Sequence, residues 1–394
     1  MSIYLDHQNQ TPLCPEAEAA LQEAIRRLGN PSSPHAEGRA AKAALEKARS
    51  RTAALVGARS EEIVFTSGGT EANLWALTGL CAAAASKGRS PSTRRRLVLS
   101  SIEHLSLLQT ARRMEKEGWT VTLLPVDSTG RVDPDRLEDC LSQETVLVSI
   151  QWANGEIGTL QPIAELARRV KRRGVLFHTD AIAAAGQVAV DLRNVPADAL
   201  SLAANTFGGP PGVGALVLRN RVRIAPLLVG GIQEEGLRAG TENLLGIVGM
   251  GAAADSAVRR IADRAGQLIP LRDRLIRGIL DRMPQAQMNG HPTERLPGHV
   301  SVSFPGLEAE RLVLALDLEG VAVGLGSACS SRTLKASHVL KAVGVETSLA
   351  LGTITCTLGS STTEAEINRF LEILPGAAAQ AAGDVGKSVS VAGS

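Results

Sequence analysis

The side chains best suited to chemistry in this sequence sit in glycine-bearing turns and one cysteine loop. SGGTEANL, residues 67–74, places two glycines just ahead of a helix that begins at Thr70. The unpaired amides and positive dipole end of such a helix suit a phosphate, although a Gly-Gly pair also makes an ordinary turn. HTDA sets Asp180 at the end of a strand, where a carboxylate serves as a ligand-binding group or as a helix cap. SLAANTFGGPPGVGAL, residues 201–216, is bent by its glycines and prolines and reads equally well as a structural loop. GSACSS surrounds Cys329 with small polar residues. A thiol in such a loop is open to large partners and can act as a nucleophile or a sulfur carrier, whereas a buried lone cysteine is only a small hydrophobe.

Strands and helices must alternate to hold these loops on one edge. From residue 15 to 220 short apolar runs (EEIVF, RRLVLSS, VTLLPV, TVLVSIQW, GVLFHTDA) are separated by segments of helical spacing at 15–28, 38–56, 70–84, 104–118, 134–142 and 163–174. Such alternation predicts an α/β fold with a mostly parallel sheet, and unbroken apolar strands predict helices on both of its faces. Residues 245–283 read as one long Arg- and Ala-rich helix leading into a smaller α+β region. That region opens at HVSVSF and holds helices at 308–318 and 363–374. The expected organisation is a large domain over 16–255, a small domain formed by 1–15 and 256–380 that carries the Cys329 loop, and a flexible tail over 381–394.

Composition removes other classes. Lys plus Arg is 42 and Asp plus Glu is 40, so the net charge of +2 offers no general attraction to nucleic acid or an acidic membrane. The arginine clusters at 94–96 and 168–173 read as solvated faces. No apolar run reaches the roughly 20 residues that span a bilayer, and the N-terminus lacks a secretory pattern. The five cysteines form no CxxC pair and no zinc spacing, and the scattered odd count points to a reducing cytoplasm.

Taken in order, YLD, GNPSSPHAEGRAA, EEIVFTSGGTEANL, IEH, NGEIGTLQPI, HTDA, GPPGVGAL, EEGLRAGTEN and GSACSS resemble the NifS/IscS-type cysteine desulfurases, class V aminotransferases with the fold of pyridoxal phosphate (PLP) transferases. The resemblance spans nearly the whole chain. It implies a homodimer with the active site near the subunit boundary. It assigns Asp180 to the pyridinium nitrogen, His104 to stacking on the ring, Gly69 and Thr70 to the phosphate cup, and Thr241 to a phosphate contact lent by the other subunit. Asn154 and Arg238 fall at substrate positions, and Cys329 at the persulfide-forming cysteine. His104 and Cys329 are the expected catalytic residues.

The same comparison of motifs locates substitutions. The Schiff-base lysine position holds Thr206, in AANT, and no lysine lies between Lys171 and Lys335. Ala203 and Asn205 replace phosphate-side residues, Gly155 an asparagine, and Ala183 a glutamine. Thr355, in TITCTLG, replaces the arginine that grips a substrate carboxylate. These changes lead to the expectation of no covalently bound cofactor, with PLP held only weakly and non-covalently. They suggest a non-catalytic scaffold, or a sulfur or Fe–S handling partner acting through Cys329, which could also ligate iron. The implied partners are a second copy or an active relative, and an Fe–S assembly or sulfur-acceptor protein. The alternative is an active cysteine desulfurase, or related PLP enzyme, releasing sulfur from L-cysteine.

Overall fold

The computed structural model describes residues 2–26, 29–85, 95–219, 222–326 and 336–388. Its strands are β1 (Ile3–Leu5), β2 (Ile63–Thr66), β3 (Arg96–Ser100), β4 (Thr120–Leu124), β5 (Thr145–Ser149), β6 (Leu176–Asp180), β7 (Ala199–Ala203), β8 (Gly214–Leu218), β9 (Gln287–Met288), β10 (His299–Ser303), β11 (Val321–Leu325) and β12 (Thr353–Thr357). Its helices are α1 (Pro15–Ile25), α2 (Ala36–Leu55), α3 (Gly69–Ala85), α4 (Leu105–Lys116), α5 (Pro134–Cys140), α6 (Ile163–Arg172), α7 (Leu244–Arg282), α8 (Ala309–Leu318), α9 (His338–Ala342), α10 (Thr347–Ala350) and α11 (Glu364–Ser388).

A seven-stranded sheet runs β2-β8-β7-β6-β5-β3-β4. The strands from β7 through β4 are parallel, while β8 lies antiparallel to both β7 and β2. The fold is therefore the expected α/β arrangement with a mostly parallel sheet. Residues 201–216 are more than the structural loop that their glycines and prolines suggest. They end β7, turn through a short 3-10 helix, and enter β8. Their apolar ends are too short to reveal a hairpin inside so many turn residues.

Helices cover both faces, which is why β5, β7 and β8 are buried along their whole length. Phe65, Val148 and Phe177 pack on one face with Leu45, Ile247 and Met250 of α2 and α7. Trp75, Leu77 and Leu107 of α3 and α4 cover the other face against Leu97, Leu99 and Leu147. Where α7 crosses α2, a Cβ on Gly251 would lie 2.6 Å from Ala48 Cα, so the glycine permits the close crossing.

The second sheet runs β1-β11-β12-β10-β9 and has its own core with Leu268, Leu275, Ile279, Phe304 and Phe370. The 39-residue α7 supplies one half to each core, so the boundary expected at 255/256 falls inside this helix. The last helix, α11, continues to Ser388, past the start of the expected tail at 381. No described helix is long and apolar enough to cross a membrane.

Candidate active site

The carboxyl ends of β2 and β6 lie on the same edge of the sheet, and α3 starts just after β2. Alternation along β6 puts Asp180 on the α3 side of the sheet, and α3 presents Asn73 to it. Asn73 Nδ2 donates to Asp180 Oδ2 at 2.7 Å, and the Ile182 amide donates to Oδ1 at 2.9 Å. Asp180 is 6% exposed, and burial raises its carboxyl above the usual range despite these bonds and the nearby His104. Asn73 Nδ2 also reaches Ser106 Oγ at 3.0 Å, which ties α4 to the same point.

His104 caps α4, its Nδ1 accepting from the Ser106 amide at 3.1 Å. Its neighbour Glu103 is fully buried. The Glu103 carboxyl accepts from the Gln151 amide at 2.9 Å and, through a short bond, from Ser100 Oγ. Burial first, then repulsion from Asp180, pushes Glu103 up to about 8. Glu103 Oε2 is buried without a hydrogen bond among the described residues.

The phosphate end is made of backbone. Gly68, at φ 152°, and Gly69 carry the chain from β2 into α3, where Thr70 is exposed. A Cβ on Gly69 would strike Ile182 Cδ1 at 2.2 Å, so a side chain there would press into the crevice wall. Glu71, in the first turn, is gripped by Arg238 through Nε to Oε1 at 2.9 Å, and its Oε2 accepts from the Ser67 amide at 2.8 Å. Arg238 thus braces the α3 entrance. Thr241 lies nearby in sequence and is exposed.

Both ends of the Asn154 side-chain amide are occupied. Its Nδ2 donates to the Ile102 carbonyl at 3.1 Å, and its Oδ1 accepts from the Glu156 and Ile157 amides at 2.9 Å. Thr206 is buried, its Oγ1 within 2.7 Å of the Ile182 carbonyl and 3.1 Å of the Ala203 carbonyl. Its single hydroxyl proton is spent on backbone.

Cys329 lies outside the described residues, as does Lys335. The chain leaves β11 at Gly326 and resumes at Ala336. There Ser337 Oγ accepts from the Val339 and Leu340 amides, and His338 Nε2 bonds the Glu103 carbonyl at 3.0 Å. The described Cys14, Cys81, Cys140 and Cys356 are free thiols, and burial pushes Cys356 well above the usual thiol range.

These residues fit PLP at two ends. Asp180 is a buried carboxyl with no ion-pair partner among the described residues, suited to a protonated ring nitrogen, and α3 offers amides to a phosphate. At the aldehyde end Thr206 supplies no amine, and Lys171 is paired with Asp198 at 2.7 Å. Of the residues singled out in the sequence, the structure brings Asp180 and His104 near the start of α3, which Gly69 and Thr70 open. Sequence reasoning missed Asn73 and Glu103, although both stand inside motifs already singled out, SGGTEANL and IEH.

A class-V aminotransferase family profile matches residues 3–370. A cysteine desulfurase IscS of Methanosarcina thermophila is 43% identical over 375 residues, 95% of this chain and 91% of that protein. A cysteine desulfurase of Cereibacter sphaeroides is 46% identical over 376 residues, 95% of each chain. A solved NifS-like protein superimposes with a TM-score of 0.88 at 34% identity, covering 95% of this chain and 98% of that one.

These likenesses correct one expectation. Thr206 and its neighbours suggest a protein with no covalently bound cofactor and only weak, non-covalent PLP. Identity of 43–46% to proteins named cysteine desulfurase, carried along 95% of the chain, overturns that reading. The physical reason is that substitutions at the aldehyde end leave Asp180, Asn73 and the α3 entrance in place.

Proposed function

The chain belongs to the class-V aminotransferases and to their cysteine desulfurase branch, and from that premise we propose that it binds PLP in the crevice between Asp180 and α3 and passes sulfur from a cysteine-type substrate to Cys329. Asp180 carries this reading: a buried carboxyl at the end of β6, oriented by Asn73 and the Ile182 amide and without an ion-pair partner among the described residues, suits a cationic ring nitrogen.

PLP, when bound, supplies an electron sink for bonds at the substrate's reacting carbon. The chain's own residues do the rest. Asp180 keeps a proton on the ring nitrogen side, with Asn73 fixing the orientation of its carboxyl. The α3 amides receive the phosphate. His104, fixed at the head of α4, would stack on the ring, and Cys329 would be the sulfur acceptor. A second copy of the chain supplies Thr241 across a dimer boundary. A sulfur-acceptor or Fe–S assembly protein in the cytoplasm relieves Cys329 of its sulfur.

The test is a visible spectrum with and without added PLP, followed by borohydride, intact mass, and alanine release from L-cysteine. A PLP band and alanine that disappears in Cys329→Ser support the reading. A reducible adduct would also identify a lysine that stands in for Thr206. No PLP uptake would overturn it. A second reading rests on the Thr206 hydroxyl being tied to backbone: a scaffold that pairs with an active relative. PLP uptake with no alanine release, restored by Thr206→Lys, would favour that scaffold.

A further inference from the structure

His104 heads α4, and Ser106 stands in that helix's first turn, where backbone amides lack helical partners. The Ser106 amide donates to His104 Nδ1 at 3.1 Å, and the Ser106 hydroxyl lies 2.8 Å from the same nitrogen. That hydroxyl oxygen receives Asn73 Nδ2 at 3.0 Å, and the same Nδ2 donates to Asp180 Oδ2 at 2.7 Å. Side chains from β6, α3 and α4 thus form one hydrogen-bonded chain, from Asp180 through Asn73 and Ser106 to His104.

Counting protons fixes the direction of this chain. Asp180 accepts at both oxygens, from the Ile182 amide and from Asn73. Asn73 is fully buried, and its NH2 group has two protons, one for Asp180 and one for Ser106. Ser106 Oγ receives one of them and still has its own proton to give. Among the described residues the acceptor within its reach is His104 Nδ1. Nδ1 therefore takes two donors, a hydroxyl and an amide. A nitrogen that accepts cannot also carry a proton, so the ring proton sits on Nε2. Two titratable groups face the ring, Asp180 at the end of β6 and His338 of α9, and they act on its charge in opposite directions. A proton arriving at Nδ1 would have to displace both of its donors. Such a ring gives a hydrogen bond from Nε2 and does not serve as a general base.

We propose that Ser106 is a positioning residue for His104: its hydroxyl, made a donor by Asn73, locks the ring with its proton on Nε2, so that His104 meets the ligand in the crevice as a hydrogen-bond donor. This role rests on the crevice being the ligand site, as in the function proposed above, while the lock itself needs no PLP.

The test is a long-range proton–nitrogen NMR spectrum of the full chain with isotope-labelled histidine nitrogens, His104 being assigned from its absence in His104→Gln. Without PLP at neutral pH, the wild type should show a proton on Nε2 and a bare, accepting Nδ1. Ser106→Ala should move the Nδ1 resonance downfield, as loss of a donor requires, and Ser106→Thr should restore it. Melting temperature and circular dichroism establish the folding of each variant. A proton on Nδ1, or protons on both nitrogens, would overturn the lock. An Nδ1 resonance unmoved in Ser106→Ala would overturn it too, because the amide alone would then hold the ring. The same samples are then given PLP. The lock without any response of Nε2 to PLP would leave the role of Ser106 standing and sink the PLP reading; a response with Nδ1 unmoved in Ser106→Ala would do the reverse.

Discussion

Glu103 and Asp180 place two carboxyls in the same buried region, and burial raises both above their ordinary range. For Glu103 the folded value of about 8 lies above its ordinary range, so the folded state holds a proton that the unfolded state gives up near 4.5. The stability it contributes is full below the unfolded value and is lost as pH rises toward 8. Glu103→Gln should therefore stabilise the protein at pH 8, with a gain that grows by about 1.4 kcal/mol per pH unit above 4.5, measured as urea midpoints across pH. Histidine gives the opposite sign. His178 is locked between Ser149 Oγ at 2.8 Å and Ser201 Oγ at 2.9 Å, and burial lowers it to about 3. Its contribution is present above 6.5 and is lost as pH falls toward 3. His178→Gln should flatten the acid limb of the stability curve by about 1.4 kcal/mol per pH unit. Asp180 and His104 were legible in the sequence because they stand in compact motifs. The use of Asn73 was not, because its partner Asp180 lies 107 residues away and only folding brings the two together.

At the scale of elements, the segment from 226 to 242 is irregular yet held. Glu234 and Glu235 adopt φ of 49° and 57°, the left-handed region that non-glycine residues seldom occupy. The anchor is Arg49 of α2, whose guanidinium grips the buried Glu234 at 2.8 and 2.7 Å, while Glu234 Oε2 also accepts from the Phe65 amide at 2.9 Å. Removing one partner of such a pair strands the other charge. Arg49→Ala should cost about 3–5 kcal/mol, and amide exchange should rise first in 226–242, the stretch that carries Arg238 and Thr241. The alternation of strands and helices was readable from apolar runs. The hairpin of β7 and β8 was hidden because its strands are short and the glycine- and proline-rich stretch between them is all that spacing can see.

For the whole molecule, the same segment presents Val229 and Ile232 at 90% and 89% exposure. Two large aliphatic side chains so exposed beside Thr241 suit a boundary between copies. The proposed dimer predicts that Ile232→Asp lowers the mass seen in sedimentation equilibrium and weakens PLP uptake together; an unchanged mass would count against that boundary. Two separate cores joined by α7 were legible as a large and a small region. The common ownership of α7 was not, because one helix of uniform composition carries no mark of where its packing partners change.

β1 pairs in parallel with β11, Ile3 opposite Val321 and Leu5 opposite Val323. On the ribosome, β1 must therefore wait until β11 has been made before it finds its neighbour. Until then residues 6–11 are held only at their far end, where Thr11 and Asn9 bond Asn205 and Thr206. A nascent chain stalled before β11 would carry the seven-stranded sheet with β1 still unpaired, and an affinity tag fused ahead of Ile3 would sit at that late-closing seam.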